Sequence, residues 1–369
     1  MRIGIDARLL GYRQGGIESY ISHLLGALAK TDCDDEFTVL QGRRARGQVM
    51  GPKFRFYSVW TPPHHRFEQL ILPLELIGAQ IDLLHCTDFI PPFRRRCKAV
   101  ITVHDLAFLR LPNLLTKESE RYYGQVGRAV QNAEGIIAES EATRDDICDL
   151  LGVAEARIDV VRLGIDSRFR PLLDEGPAMR FCQRHGLPPT FMLWVGTISP
   201  RKNLGTLLNA LALLRERDPK LNHCLVVVGE NGWLYQDTLR LVEELKLSDV
   251  VRFYGRATDE DLLFLYNTAW AFAFPSLYEG FGLPALEAMA CGTPVVSSDL
   301  PAMHEMLGEA AIFLDPQDAE SWASTLLQLH ADADLRRTLR ERGLAQVRRF
   351  DWRRTAQETI TVYHKVLRQ

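Results

Sequence analysis

Residues 274–295 read FPSLYEGFGLPALEAMACGTPV, and this stretch decides the fold prediction. The run AWAFAFP at 269–275 is apolar and is typical of a buried parallel strand. The Gly-Phe-Gly sequence at 280–282 predicts a turn, and Pro284 follows where a helix tolerates proline, at its first position. The segment therefore predicts a strand, a glycine turn and a helix in succession.

Such a turn is suited to an anion. A helix start presents unpaired N–H groups and the positive end of a dipole, and glycine lets a phosphate approach the backbone. Glu279 precedes the turn and Glu287 lies about one helical turn inside the helix. Because carboxylates accept hydrogen bonds from hydroxyl groups, the pair predicts a diphosphate with hydroxyl-bearing groups on either side. The alternative is that each glutamate only complements the helix dipole.

Length and composition set the broad class. A chain of 369 residues, 46% hydrophobic, predicts about two domains, and it contains no apolar run long enough to span a bilayer. The start MRIGIDARLL does not resemble a secretory signal, so we expect a cytoplasmic protein. The net charge of −3 argues against nucleic acid as the main partner.

The sequence predicts neither a metal nor a cofactor. Seven cysteines are scattered without a C-x-x-C pair, which favours reduced thiols over a zinc site. Asp32, Cys33 and Asp34 match an Asp-x-Asp metal motif. Because the acidic run continues into Asp35 and Glu36, we interpret it as a solvated connection after the first helix.

Basic residues are concentrated in the first hundred positions, where 14 Lys and Arg face 10 Asp and Glu. They form clusters interleaved with aromatic residues: Arg43, Arg44 and Arg46; Lys53, Arg55, His64, His65 and Arg66; and Arg94, Arg95, Arg96 and Lys98, among Phe54, Phe56, Trp60, Phe67 and Phe93. This surface predicts peripheral contact with an anionic membrane at its inner face, or else a solvated face that keeps the loops soluble.

Strand-like runs alternate with helical stretches along the whole chain, which predicts an α/β protein with two doubly wound, Rossmann-like parallel sheets. Thirteen strands are expected, near 3–6, 37–40, 54–59, 82–85, 99–103, 135–138, 159–161, 191–195, 224–228, 250–254, 270–274, 294–297 and 311–314. A linker rich in proline, glycine and charge at 167–189 indicates domains at 1–170 and 171–350, with a helix at 351–369 that crosses back. We expect the two domains to face each other across a cleft that holds the ligand.

Three further groups follow strand ends. Arg201 and Lys202 precede a helix that Asn203 can cap, and two adjacent cations there suit a diphosphate. Gly15 and Gly16 precede the first helix and can bring backbone amides against a phosphate. His104 follows the strand AVITV and can hydrogen-bond a sugar hydroxyl, with Asp105 as a candidate to hold its tautomer. Each feature alone can also be explained without a ligand. Arg201 and Lys202 would then belong to a solvated loop, Gly15 and Gly16 would form an ordinary turn, and His104 would be a structural histidine.

The combined motifs resemble the retaining nucleotide-sugar glycosyltransferases of family 4, which have the GT-B fold, and within them the bacterial mannosyltransferases. The resemblance covers nearly the whole chain. The motifs that carry it are GIDARLL with the GGI turn, TVHDL, VVRLGID, GTISPRKNL, FYGRATDEDLLFLY and FPSLYEGFGLPALEAMACGTPVV.

The resemblance implies a role for each site residue. Glu279 contacts the donor sugar and Glu287 accepts a ribose hydroxyl, while Arg201 and Lys202 clamp the diphosphate. His104 lies near the transferred sugar. The remaining contacts are glycines and backbone groups that face phosphate, namely Gly15 and Gly16 in the first domain and Gly280, Phe281, Gly282 and Leu283 in the second.

The implied reaction is transfer of a hexose, with retention, to a hydroxyl of a glycan or lipid-linked acceptor. The expected donor is GDP-mannose, and UDP-glucose, UDP-galactose or a UDP-N-acetylhexosamine stay open. No metal is expected to be required. A nucleotide-sugar epimerase of the same architecture and a catalytically silent scaffold are the competing interpretations.

Overall fold

A computed structural model describes residues 1–11, 16–42, 53–114, 122–218, 224–232 and 234–369. These residues form two units, one made of Met1–Gly164 with Phe350–Gln369, the other of Ile165–Arg349. Gly15, named above as a phosphate contact, lies outside the described residues, as do Arg43, Arg44 and Arg46 of the first basic cluster.

The first unit is built on a seven-stranded parallel sheet. Its strands are β1 (Arg2–Asp6), β2 (Glu36–Gln41), β3 (Phe54–Ser58), β4 (Leu83–Cys86), β5 (Lys98–Val103), β6 (Gly135–Ala138) and β7 (Ile158–Val160). Their order across the sheet is β3-β2-β1-β4-β5-β6-β7. The chain therefore reverses its direction of winding after β3, between β1 and β4, which is the doubly wound arrangement.

Helices and single 3-10 turns connect these strands. The helices are α1 (Gly16–Lys30), α2 (Glu68–Glu75), α3 (Ala107–Arg110), α4 (Val126–Asn132) and α5 (Glu141–Leu151), and the 3-10 turns are Leu76–Ala79, Pro112–Leu114 and Glu155–Arg157. Ser140 begins α5 by accepting the backbone N–H of Thr143, and Gly152 ends it in the left-handed region at φ 64°.

The second unit is built on a six-stranded parallel sheet in the order β10-β9-β8-β11-β12-β13. Its strands are β8 (Phe191–Val195), β9 (Leu225–Val228), β10 (Val251–Gly255), β11 (Ala269–Phe274), β12 (Val295–Ser298) and β13 (Ala311–Leu314). The helices are α6 (Gly176–Arg184), α7 (Leu204–Arg217), α8 (Tyr235–Glu244), α9 (Asp259–Thr268), α10 (Leu283–Ala290), α11 (Pro301–Leu307), α12 (Ala319–Ala331) and α13 (Ala333–Gln346), with 3-10 turns at Pro200–Lys202, Gly308–Ala310 and Val347–Arg349.

The last helix, α14 (Trp352–Arg368), belongs to the first unit although it ends the chain. It packs against α1 and against β5 and β6. The close approach requires glycine at 135, since a Cβ there would lie 2.7 Å from a methyl carbon of Val366. A buried hydrogen bond of 2.6 Å between His85 Nδ1 and the Tyr363 hydroxyl adds a polar contact between α14 and β4.

Apolar strands explain why each sheet is buried on both faces. The central strand β8 (FMLWV) is buried along its whole length, and β4, β6 and β9 are buried likewise. Because each Å² of buried apolar surface stabilises the folded state by about 25 cal/mol, these apolar strands make the main contribution to the stability of the fold. The α/β prediction with two Rossmann-like sheets is confirmed, and each of the thirteen expected strands is present within one or two residues of its expected bounds.

Three local features bear on the sequence predictions. Pro284 is the second residue of α10, one position later than expected. The seven cysteines all lie in the described ranges and are free, and three of them, Cys33, Cys97 and Cys148, are only partly buried. Asp32 and Asp34 are exposed in the connection between α1 and β2.

Candidate functional site

In the second unit, two loops meet at the carboxyl ends of the neighbouring strands β8 and β11. The loop after β8 is the 3-10 turn Pro200–Lys202, and the loop after β11 runs from 275 to the start of α10. They are tied together by a backbone hydrogen bond of 2.9 Å from Leu277 N to Arg201 O. The two cations and the two glutamates predicted for this region are therefore brought to the same edge of the sheet.

Asn203 does not cap α7 through its side chain, and that part of the prediction is wrong. Its backbone is left-handed, with φ 51°, and its Nδ2 donates to the carbonyl oxygens of Pro275 at 2.9 Å and Pro316 at 2.6 Å. Asparagine tolerates the left-handed region better than most residues, so it can turn the chain here while its amide joins three loops. Its role is to fix the loop that carries the cations.

Glu279 is the centre of the charge cluster. Lys202 Nζ donates to its Oε1 at 2.6 Å, and Arg201 NH1 lies 3.4 Å from its Oε2. Arg201 also donates to the carbonyl oxygen of Tyr278 at 3.0 Å. The Glu279 side chain is only 8% exposed and that of Lys202 12%. The cluster is therefore partly desolvated, which strengthens each charge interaction.

The electrostatic balance at Glu279 favours its ionised form. Burial alone would raise the pKa of this carboxyl, but the charges of Lys202 and Arg201 and the hydrogen bond from Lys202 outweigh burial and hold the pKa below its usual range. The ammonium of Lys202 also lies 4.9 Å from the centre of the Phe274 ring, a cation–π contact. The cluster carries two cations and one anion, so a net positive charge remains for an anionic ligand.

Helix α10 begins beside this cluster. Gly282 precedes it with φ 87°, and a Cβ at this position would lie 2.5 Å from Cε of Met303. Only glycine avoids both the backbone strain and the overlap. The turn at 280–282 therefore leads from Glu279, which is paired with Lys202, directly into an eight-residue helix.

Glu287 lies one turn inside α10, partly exposed. Its Oε2 accepts a hydrogen bond of 2.9 Å from the hydroxyl of Tyr266, at the end of α9. Tyr266 is fully buried, and burial together with the charge of Glu287 raises the pKa of its hydroxyl well above the usual value. The phenol therefore stays a hydrogen-bond donor that orients Glu287, and sequence reasoning did not identify it.

In the first unit, Gly16 is the first residue of α1 and His104 directly follows β5. His104 Nδ1 donates to Glu139 Oε1 at 2.5 Å, and Nε2 donates to the carbonyl oxygen of Thr87 at 2.8 Å. The Tyr20 ring meets the imidazole edge-on at 5.1 Å. Glu139, rather than the expected Asp105, is the carboxylate that fixes this ring.

The contacts of His104 make it a cation at neutral pH. Burial would lower its pKa, but the adjacent Glu139 carboxylate and, more weakly, Asp88 raise the pKa to about 9. Both ring N–H groups are then donors with acceptors inside the same unit. His85, which is buried behind it, has its pKa lowered to about 3 by burial and by the charge of His104.

A second polar cluster lies at the carboxyl end of β1, in the motif GIDARLL. The guanidinium of Arg8 is buried, contacts Asp6 through Nε at 2.8 Å and NH2 at 2.6 Å, and also forms an ion pair with Glu68. Thr87 Oγ1 donates to the Asp6 carbonyl oxygen at 2.6 Å. These bonds hold the ends of β1 and β4 together next to His104, and the sequence pattern alone does not indicate this role for Arg8.

Among the described residues, no group of three or more His, Cys, Asp and Glu side chains is placed to hold a metal ion. Over the same part of the chain, no helix is both long and apolar enough to cross a bilayer.

The fold and this site define a class of protein. A sucrose-phosphate synthase structure from Thermosynechococcus elongatus aligns with a TM-score of 0.81 at 21% identity over 99% of both chains. The Anabaena HepE structure in complex with UDP-glucose aligns with a TM-score of 0.78 at 20% identity, covering 99% of this chain and 100% of that one. At such identities the likeness concerns the fold, which is that of the GT-B glycosyltransferases.

Sequence comparison gives the family. The model described as "Glycosyltransferase Family 4" matches residues 14–169, and the model "Glycosyl transferases group 1" matches residues 178–346. The chain is 34% identical to O-antigen chain mannosyltransferase B of Escherichia coli over 76% of this chain and 74% of that protein. It is also 34% identical to a D-inositol 3-phosphate glycosyltransferase of Streptomyces bingchenggensis, over 96% and 85%. The chain belongs to glycosyltransferase family 4.

Other relatives are longer than the aligned region. The alignment covers 62% of a D-inositol 3-phosphate glycosyltransferase from Salinispora arenicola and 34% of the serotype-specific mannosyltransferase WbdA of Escherichia coli.

Proposed function

We propose that this glycosyltransferase moves mannose from GDP-mannose to a hydroxyl group of a glycan or lipid-linked acceptor, with retention of configuration and without a metal ion. The observation that carries the proposal is the cluster of Lys202, Arg201 and Glu279 beside the start of α10. It joins two cations, one ionised carboxylate and a helix N-terminus, the set that a nucleoside diphosphate sugar requires.

Each part of the donor has a matching group. The diphosphate binds to the positively charged side chains of Lys202 and Arg201 and to the backbone N–H groups of residues 282–283. Glu279, already ionised, accepts hydrogen bonds from hydroxyl groups of the transferred sugar, and its hold on Lys202 keeps that ammonium in place. Glu287, oriented by Tyr266, accepts from the ribose. For His104, in the first unit, contact with the transferred sugar stays a prediction from the family resemblance, and both of its ring N–H groups already donate to Glu139 and Thr87.

The reaction breaks the bond between the anomeric carbon and the phosphate oxygen and forms a bond from that carbon to the acceptor oxygen on the same face. The departing phosphate oxygen takes the proton of the acceptor hydroxyl, so no protein nucleophile is needed. Negative charge grows on the leaving GDP, where the cations and helix amides stabilise it. Preorganised charge of this kind is worth about 100- to 1,000-fold in rate per donor group.

The choice of mannose is supported by the relatives. Two of those that match are named mannosyltransferases, O-antigen chain mannosyltransferase B and WbdA. The alternative is a UDP-sugar donor of glucose, galactose or N-acetylhexosamine, which the HepE complex with UDP-glucose favours. An epimerase of this fold is the second alternative, and it would convert its nucleotide sugar without any acceptor.

A thermal-shift screen tests the proposal at its first step. Ligands that bind only the folded state raise the melting temperature in proportion to the logarithm of their concentration. We expect GDP and GDP-mannose to raise it more than the UDP, ADP and dTDP counterparts. A larger shift with a UDP-sugar would move the proposal to that donor. Product analysis without acceptor separates the epimerase, which changes GDP-mannose alone, from the transferase, which does not.

A further inference from the structure

One face of α2 and the residues around it carry large apolar side chains in solvent. Trp60 is 68% exposed, Leu70 65% and Leu74 67%, and Phe67, Ile71 and Ile77 are also exposed. These six residues, called the apolar ridge below, are Trp60, Phe67, Leu70, Ile71, Leu74 and Ile77. Large apolar patches on a soluble surface mark places where something else binds.

The ridge is the outward side of an amphipathic helix. Glu68, Leu72 and Leu76 follow one another at every fourth position and are all buried, so they form the inward side. Phe67, Leu70, Leu74 and Ile77 fall on the opposite side at spacings of three and four. A water-facing helix of an ordinary domain would place polar residues there.

The segment also contains two acidic residues, and both have partners within the unit. Glu68 is buried in the ion pair with Arg8. Glu75 accepts hydrogen bonds from Trp60 N at 2.6 Å and from the Thr61 hydroxyl at 2.6 Å. Glu68 is thus paired with a cation, and Glu75 is held by hydrogen bonds within the unit while it keeps its negative charge.

One basic side chain contacts the ridge, and a loop that carries two more is bonded to α2. The guanidinium of Arg66 lies 4.6 Å from the centre of the Phe67 ring. The loop that carries Arg94 and Arg96 is fixed to α2, because Gln69 donates to the carbonyl oxygen of Pro91 at 3.1 Å and accepts from Phe93 N at 2.9 Å. Arg66, Arg94 and Arg96 are exposed.

From this combination we propose that the apolar ridge and its flanking arginines are a docking surface for a bilayer with anionic headgroups. The apolar side chains enter the boundary between headgroups and acyl chains, while Arg66, Arg94 and Arg96 contact lipid phosphates. A protein partner would be served by apolar contact alone, whereas apolar side chains within a basic rim match the layered chemistry of a lipid surface. The surface goes beyond the transfer reaction and would bring the enzyme to a lipid-linked acceptor.

Co-sedimentation of the full chain with vesicles tests the proposal. We expect binding to vesicles of phosphatidylcholine with phosphatidylglycerol and weaker binding to phosphatidylcholine alone. Arg94→Gln with Arg96→Gln should lower the partition coefficient about 25-fold on anionic vesicles, at about fivefold for each cation. Leu70→Gln with Leu74→Gln should lower it by about tenfold or more on both vesicle types.

Matched control variants carry the same changes elsewhere. Leu173→Gln with Met179→Gln removes two exposed apolar side chains of the second unit, and Arg240→Gln with Arg337→Gln removes two exposed arginines there. Both should bind vesicles as the unchanged chain does. Circular dichroism melting curves verify that every variant is folded.

The measurement needs no donor, so its result is independent of the transfer reaction. Three outcomes would overturn the proposal: no binding to anionic vesicles, ridge variants that bind like the unchanged chain, or equal losses in the controls. A dimer in sedimentation velocity that Leu70→Gln with Leu74→Gln converts to monomer, without vesicle binding, would assign the ridge to a second copy of the chain instead.

Discussion

Lys202 and Glu279 are 77 positions apart in the sequence, yet Nζ and Oε1 meet at 2.6 Å over the ends of β8 and β11. The carboxylate holds the ammonium in place before any ligand binds. A preplaced cation costs little side-chain entropy when a phosphate arrives, since its rotamers are already restricted. The same pairing means that a change at either residue affects both stability and catalysis, and the two effects have to be separated.

Replacing Lys202 with methionine tests its catalytic role. We expect Lys202→Met to lower kcat about 100- to 1,000-fold, because one stabilising charge on the leaving diphosphate is lost. Folding stability should fall by about 2 kcal/mol, because the largely buried Glu279 loses a charged hydrogen-bond donor. Enzyme kinetics with GDP-mannose and urea unfolding give the two quantities.

A double variant separates these effects. Lys202→Met with Glu279→Gln removes both charges, so most of the lost stability should return while kcat stays low. Full activity in the double variant would show that Lys202 matters only for folding.

Glu287 is expected to recognise the ribose. Glu287→Gln should weaken GDP binding about tenfold, the loss of one charged hydrogen-bond acceptor, at 1.4 kcal/mol for each factor of ten. Tyr266→Phe should weaken it less, since the carboxylate remains but loses its orienting hydroxyl. Calorimetry with GDP and with 2′,3′-dideoxy-GDP makes the assignment specific. The unchanged chain should bind GDP more tightly than 2′,3′-dideoxy-GDP, and Glu287→Gln should bind both about equally. If both chains prefer GDP to the same extent, Glu287 does not contact the ribose hydroxyls.

The His104 and Glu139 pair predicts a pH dependence of stability. The pKa of His104 is raised to about 9 in the folded chain from an unfolded value of 6.5, so the protonated form is stabilised by folding. This contribution is fully present below pH 6.5 and is lost as pH rises through about 9. The loss over that window is about 3 kcal/mol for a shift of this size.

Glu139→Gln is the matched variant for that window. It removes the charge that raises the His104 pKa and keeps the size of the side chain, so its stability should vary much less between pH 6.5 and 9. Denaturant unfolding at several pH values gives the comparison, and NMR titration of the imidazole checks the cause. A slope that is the same in both chains would contradict the ion pair.

Gly282 is expected to be irreplaceable at the start of α10. Gly282→Ala should destabilise the fold by about 2 kcal/mol or more, because φ is 87° and the new Cβ would overlap Met303. Gly205→Ala is the control, since a Cβ there meets only Leu241, at an ordinary 3.5 Å, and alanine favours a helix. Melting temperatures of the two variants should therefore move in opposite directions. A neutral Gly282→Ala would contradict the described turn.

The sequence was sufficient for the elements of the fold, because uninterrupted apolar runs such as FMLWV at 191–195 have no other stable place than a buried strand. The sequence also predicts that Arg201, Lys202 and Glu279 lie at strand ends. It does not predict the contacts among them, because the pairing of side chains 77 positions apart depends on which strands are neighbours.

Strand order explains two of the errors. Asp105 adjoins His104 in sequence and was the candidate partner, but β5 pairs with β6, so the residue that follows β6, Glu139, lies beside His104 instead. Asn203 was expected to cap α7 because asparagine favours that position. In the structure its Nδ2 donates to the carbonyl groups of Pro275 and Pro316, which come from other strand ends, and its Oδ1 accepts from the Thr206 hydroxyl instead of a backbone N–H of α7.

A crystal structure of the full chain with GDP would show where the donor binds. We expect the diphosphate at the start of α10, within hydrogen-bonding distance of Lys202 Nζ, the Arg201 guanidinium and the amides at 282–283, with the ribose hydroxyls on Glu287. A diphosphate bound elsewhere, with the ion pair of Lys202 and Glu279 unchanged and Glu287 in contact only with water, would contradict it.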